Sequence, residues 1–161
     1  MVKKEWISTE GYNTLETEYF HLMKVERPTV VQQVADAAAE GDRSENAEYI
    51  YGKKKMREID RRLKYLSERM DRVEIKAAPQ QSETVAFLSI VEVENLDTEE
   101  IKRFQIVGPD ESDVVAGKIS YLSPIGRALM GKRFDDDFEF KAPGGNRIYC
   151  VNTITLSEST A

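Results

Sequence analysis

The sequence predicts an α+β protein. An N-terminal antiparallel coiled-coil helical hairpin, residues 1–77, precedes a C-terminal antiparallel β domain with one short helix, residues 78–161. Three observations carry this. From Gly52 to Val73 the small and apolar residues recur in alternating steps of four and three, the signature of a helix with one narrow partner seam. The polar stretch EGDRSENAEY, residues 40–49, separates that helix from an earlier helical run. Beyond residue 83 the chain changes to short β-branched and aromatic segments.

The first run opens at Ser8, a suitable N-cap, and continues through Tyr12, Leu15, Tyr19 and Leu22 at spacings of three and four. Val30 or Val31, Val34, and Ala37 or Ala38 extend it. Pro28 falls inside the run. An interior proline removes a hydrogen bond and costs about 3 kcal/mol, so a kink or short break is expected there. The second run carries Gly52, Met56, Ile59, Leu63, Leu66, Met70 and Val73 on one stripe. Folding about residue 43 sets Val34 beside Gly52 or Lys53, Leu22 beside Leu63 to Leu66, and Tyr12 beside Val73. Arms of some 30 residues reach about 45 Å at about 1.5 Å per residue, with GDRSENAEY at the far end.

KAAPQQSE, residues 76–83, has the composition of a linker. TVAFLSIVEVEN, IKRFQIVG, GKISYL, DDFEFKA and RIYCVNTITL then supply strands, with PGGN at 143–146 as a hairpin turn and Gly108-Pro109 as a break. In SPIGRALMGK, Ser123 is an N-cap, Pro124 suits the first helical position and Gly131 ends the element. Leu129 and Ala128 are expected in the core. Cys150 is expected as a buried small hydrophobe and His21 as an exposed helical residue.

Composition bounds the function. The chain has 161 residues, 40% hydrophobic and 32% charged, enough for a core with a soluble surface. One cysteine and one histidine exclude a disulfide framework and an ordinary zinc site. No apolar run approaches the roughly 18 residues of a membrane helix, and MVKKEWISTEGY lacks the apolar centre of a secretory signal. The expected location is the cytoplasm. Net charge is −6, yet residues 53–72 hold nine basic against four acidic residues, while residues 83–113 hold nine acidic against two basic. One basic segment on an acidic protein suggests a local electrostatic task. The sequence offers no catalytic histidine, nucleophile or phosphate loop.

Asp42 and Glu45 admit two readings. D-x-x-E is a capping-box spacing, with Ser44 as an alternative cap. Equally, two carboxylates projecting from a turn can supply one or two oxygens to a magnesium ion that keeps its other ligands elsewhere. Arg43 can pair with Asp42 or touch a phosphate. Glu48 lies on an adjoining face, solvated or in a secondary contact, and Asn46 and Tyr49 brace the turn. At 100° per residue, Lys53, Lys54, Arg57, Arg61 and Lys64 cluster opposite the seam in a strip about 16 Å long. Such a strip is a solvated face, supported by pairs such as Glu58–Arg62 and Asp60–Lys64, or a contact for phosphates that is salt-dependent and blind to sequence.

GDRSENAEY, KKKMREIDRRLKYL, RFQIVG and ISYLSPIGRALMGK, in that order, resemble the bacterial Gre transcript-cleavage factors; GDRSENA and REIDRR resemble the GreB branch. The resemblance covers nearly the whole chain. It implies that the C-terminal domain is FKBP-like and docks on RNA polymerase at the mouth of the secondary channel. The hairpin then passes down the channel, where the tip acids help hold a magnesium ion and activate water, so that the polymerase cleaves its own backtracked RNA. On this resemblance Asp42 and Glu45 assist catalysis and share the magnesium, while Ser44, Asn46 and Tyr49 match the rest of the tip. Lys53, Lys54, Arg57, Arg61 and Lys64 face the nascent RNA, and Ser123, Pro124, Arg127 and Lys132 are candidates for the polymerase contact. Leu122 departs from the polar residue more usual before Ser-Pro in the family. The protein is thus expected to be a monomeric accessory factor rather than an enzyme, holding no cofactor alone. The alternatives are a regulator of the same shape that blocks the channel without cleavage and, from fold analogy alone, a peptidyl-prolyl isomerase.

Overall fold

The structure is a computed structural model that describes residues 4–41 and 46–156. The chain forms two compact units, residues 12–73 and residues 1–11 together with 74–161. The expected division at 77/78 places residues 4–11 with the hairpin; in the structure they belong with the second unit.

The first arm of the hairpin is α1 (Thr9–His21), a π-helical turn (Leu22–Glu26) and α2 (Arg27–Ala39). Ser8 caps α1, its Oγ accepting the Gly11 N–H at 3.0 Å. Pro28 does not break the arm. The Arg27 N–H donates to the Leu22 carbonyl, five residues back, and the Thr29 hydroxyl donates to the Val25 carbonyl at 2.7 Å. A widened turn just before proline relieves the clash between its ring and the carbonyl four residues earlier, so the helix continues instead of kinking apart.

The second arm is α3 (Ala47–Arg72). Gly52, Ile59, Leu63 and Leu66 are buried along it, and Val73 is buried just beyond. Leu15, Leu22, Val30 and Ala37 are buried on the first arm. A Cβ on Gly52 would lie 2.6 Å from Val34 Cγ2. Val34 therefore sits on Gly52, as folding about residue 43 requires, and only a residue without a side chain lets the arms approach so closely there. The expected pairs along α3 are replaced by pairs across the hairpin. Arg62 Nε and Nη2 engage the Glu18 carboxylate at 2.5 and 2.9 Å, and Arg27 Nε meets Asp60 at 2.9 Å. Reaching the other arm uses Arg62 and Asp60, the two residues that had been assigned partners within the helix.

In the second unit, β1 (Glu5–Ile7) and β2 (Val73–Ile75) form a two-stranded sheet. Residues 76–83 carry neither helix nor strand, as a linker should. Five further strands follow: β3 (Ser89–Asn95), β4 (Ile101–Val107), β5 (Lys118–Ser120), β6 (Asp137–Ala142) and β7 (Gly145–Leu156). Their order in the sheet is β5-β4-β3-β7-β6. Neighbours are antiparallel except β4 and β5, which run parallel. The purely antiparallel expectation is corrected at this edge, because the segment between β4 and β5 crosses over rather than turning back. A register shift between Glu92 and Val93 marks a bulge in the β3–β7 pair. β6 and β7 are joined at Ala142 and Gly145, so Pro143 and Gly144 form a two-residue loop.

Alternation along β3 buries Ser89, Val91, Val93 and Asn95. The core packs Val91 and Val93 with Ile106, Ile119, Leu129, Phe138, Tyr149 and Val151. Leu129 reaches it from α4 (Pro124–Leu129), and Ala128 packs against it from the same helix. Cys150 differs from its expected burial: it is half-buried, because alternation gives the core face of β7 to Tyr149 and Val151.

Candidate functional site at the hairpin apex

Among the described residues, the Asn46 side chain bridges the two arms at the apex. Asn46 Oδ1 accepts the Tyr49 N–H at 3.1 Å and caps α3. Its Nδ2 donates to the Ala37 carbonyl at 2.7 Å. One amide thus satisfies an orphan donor at the start of α3 and a carbonyl in the last turn of α2. The spacing offers Asp42 or Ser44 as a cap; the cap of α3 is Asn46. Tyr49 is half-buried in the first turn and Glu48 is exposed. Asp42, Arg43, Ser44 and Glu45 lie outside the described residues.

Below the apex, Lys53, Lys54, Arg57, Arg61 and Lys64 are all exposed, opposite the buried seam as the wheel predicts. Among the described residues, only Lys64 of the five has an acidic partner, Glu68 at 4.0 Å. Exposed pairs of that length contribute little. The two cross-arm pairs are firmer. The guanidinium of Arg62 bonded to Glu18 holds the Glu18 carboxyl below the usual carboxylate range, and Asp60 raises Arg27 by the same reasoning. Arg62 also lies 5.0 Å from the centroid of the Tyr65 ring. Glu18, Arg27 and the exposed Tyr51 and Tyr65 were not singled out in the sequence. Their signal was present: each lies off the seam of its own helix.

In the second unit, the residues expected to dock have a structural task first. The Ser123 hydroxyl donates to the Ser120 carbonyl at 2.6 Å and accepts the Gly126 N–H at 3.1 Å, capping α4. Pro124 follows at the helix start. Leu122, Pro124 and Arg127 are exposed, whereas Lys132 is half-buried. The loop and helix therefore present a small mixed surface held by Ser123 rather than by contacts of Arg127.

Residues 5–75 match the family described as transcription elongation factor, N-terminal, and residues 80–156 match transcription elongation factor, GreA/GreB, C-term. Transcription elongation factor GreB of Haemophilus ducreyi is 46% identical over 155 residues, covering 96% of this chain and 95% of that protein. The chain belongs to the GreA/GreB family. GreB of Yersinia pestis is 47% identical over 152 residues, covering 94% of this chain and 88% of that protein. The solved structure of the transcription factor Gfh1 aligns at 24% identity with a TM-score of 0.46, covering 96% of this chain and 99% of that one; a likeness of that degree bears no weight in the assignment. In this Gre-family chain, the matched regions contain both the hairpin arms and the five-stranded sheet. No helix among the described residues is long and apolar enough to cross a membrane.

Among the described residues no group of three His, Cys, Asp or Glu side chains is placed to hold a metal. The donors read from the sequence are Asp42 and Glu45. As a donor set, two carboxylates suit a hard dication such as magnesium, but only as part of its shell.

Proposed function

We propose that this protein inserts its hairpin into the secondary channel of RNA polymerase and stimulates cleavage of backtracked nascent RNA. What supports the reading is the closure at Asn46. It ties the last turn of α2 to the first turn of α3, so Asp42 and Glu45 belong to a short connection between two packed arms. The two arms are thereby fixed at either end of the seven residues, 40–46, whose sequence carries both carboxylates.

Asp42 and Glu45 would lend carboxylate oxygens to a magnesium ion shared with the polymerase active site. Magnesium, when bound there, supplies Lewis-acid activation of water and neutralises charge on the leaving oxygen. Asn46 holds the apex. Lys53, Lys54, Arg57, Arg61 and Lys64 draw the displaced RNA along α3 through its phosphates. The α4 region, with Pro124 and Arg127 outward, docks on the channel rim. The factor is an accessory to the polymerase's own chemistry, not an enzyme by itself.

Bacterial RNA polymerase stalled in a backtracked state tests this. Adding the protein releases 3′ RNA fragments in a magnesium-dependent manner. Asp42→Ala and Glu45→Ala lose at least tenfold in cleavage rate, about 1.4 kcal/mol of transition-state stabilisation, yet compete for polymerase like the parent protein. Arrest of synthesis with no fragments identifies a channel-blocking regulator instead.

A further inference from the structure

Single exposed aromatic residues are ordinary on protein surfaces. Two features set Tyr51 and Tyr65 apart. They are 66% and 47% exposed, and both border the basic strip, with the exposed Glu58 between them at about 140° on the same wheel. Taking Lys53 as the origin at 100° per residue, Arg57, Arg61 and Lys54 lie at about 40°, 80° and 100°, Tyr65 at about 120° and Tyr51 at about 160°. Tyr51 is three residues from Lys54, and Tyr65 is four from Arg61, so each ring neighbours a cation along the helix. Lys54 and Arg61 have no acidic partner among the described residues.

The two rings are held differently. Tyr65 lies against the Arg62 guanidinium, which is itself fixed by two hydrogen bonds to Glu18 on the other arm. Its orientation is thereby set from across the hairpin. Tyr51 sits one turn into α3, next to the exposed Ile50. Fourteen residues of helix separate the rings, about 21 Å, the length of about six stacked nucleotides at about 3.4 Å each. Cations that follow a backbone, combined with aromatic faces for bases, form the usual means of binding an unpaired strand without regard to sequence.

We propose that Tyr51 and Tyr65 are base-stacking steps bordering the basic strip of α3. They take unpaired bases of single-stranded RNA while Lys53, Lys54, Arg57 and Arg61 hold its phosphates. This rests on the function proposed above, in which the displaced RNA lies along this face. The stacking steps set how many displaced nucleotides the factor engages: a segment of about six reaches both rings, and a segment of two or three reaches only Tyr51.

The test uses the full chain and two probes at low salt: hexaadenylate and a six-unit abasic ribose-phosphate oligomer. In an NMR titration, hexaadenylate moves the ring protons of Tyr51 and Tyr65 upfield, and the abasic oligomer shifts only resonances of the cations. Tyr51→Ala and Tyr65→Ala each weaken hexaadenylate binding about tenfold, the Phe variants retain it, and all bind the abasic oligomer like the parent. Equal affinity for the two probes, unshifted rings, or Phe variants as weak as Ala variants overturns the proposal. Stalled polymerase separates it from the functional reading. If the parent protein cleaves and the Ala variants cleave six-nucleotide displaced segments equally well, stacking is wrong and the cleavage function stands. If the rings stack in the titration but the parent protein releases no fragments, the stacking steps stand and the cleavage function falls.

Discussion

Asn46 does the work of two residues. Its carbonyl oxygen caps α3 and its amide nitrogen holds the Ala37 carbonyl. Asn46→Ala removes both bonds, at a cost of about 1 kcal/mol for the cap and about 1 more for the bond across the apex. Asn46→Asp keeps the acceptor, loses the donor and falls between; urea unfolding followed by the helical circular dichroism signal orders the three proteins. Cys150 shows the other side of local environment. Burial, then hydrogen bonding and repulsion from Asp137 and repulsion from Asp135, push its thiol up to about 11. The folded protein therefore holds the proton more tightly than the unfolded chain, whose thiol titrates near about 8.5. That contribution is complete below about pH 8.5 and is lost as pH rises toward 11. Since the thiolate is the nucleophile, alkylation at pH 8 runs at least about tenfold slower in the native protein than in urea, and Asp137→Asn speeds the native reaction.

At the scale of the element, the hairpin depends on how closely its arms pack near the apex. Gly52 is a poor helix former by about 1 kcal/mol against alanine, and it is retained where Val34 occupies the space of a side chain. Gly52→Leu overpacks the seam and destabilises the hairpin by about 1–3 kcal/mol. Val34→Ala combined with Gly52→Ala leaves the seam one methyl short but gains helix propensity at both positions, so the double variant unfolds at a denaturant concentration close to that of the parent. If Gly52→Leu proves neutral, the arms do not meet at this point. The π turn before Pro28 belongs to the same scale. The sequence announced a disturbance at Pro28; it was the backbone that chose a wider turn over a break, because the arm keeps its buried face by doing so.

For the molecule as a whole, residues 4–11 belong with the C-terminal unit. Trp6 stacks on Tyr121 at a centroid distance of 4.7 Å and meets Phe87 edge-on at 5.6 Å, and its backbone N–H donates to the Tyr121 hydroxyl at 3.0 Å. Lys76 lies 3.6 Å over the same indole. Gly108 admits this strand, since a Cβ there would stand 2.1 Å from the Trp6 carbonyl oxygen. Glu111 completes the junction, accepting the Ser8 N–H at 3.1 Å and the Ser8 hydroxyl. Glu111→Ala leaves both donors without their charged partner and costs about 1–3 kcal/mol. Trp6 is the only tryptophan, so its fluorescence reports the loss directly: the emission transition moves to lower urea, while the helical signal of the hairpin moves less.

Periodicity determined the two arms, the stripe that joins them and the strands beyond residue 83, because burial on one face leaves a regular trace in a linear string; composition marked the linker at 76–83 and capping residues the short helix, while β1 and β2 fell inside the stretch assigned to the hairpin. The basic strip was legible for the same reason: an exposed face is the complement of a buried one. Tertiary structure decided what depends on partners distant in sequence. It gave the cap to Asn46, whose second bond reaches nine residues back. It moved Arg62 and Asp60 from partners on their own helix to partners on the other arm, and it set β5 parallel to β4. It also enlisted Trp6 in a unit that begins almost seventy residues later, through aromatic contacts that no local pattern encodes.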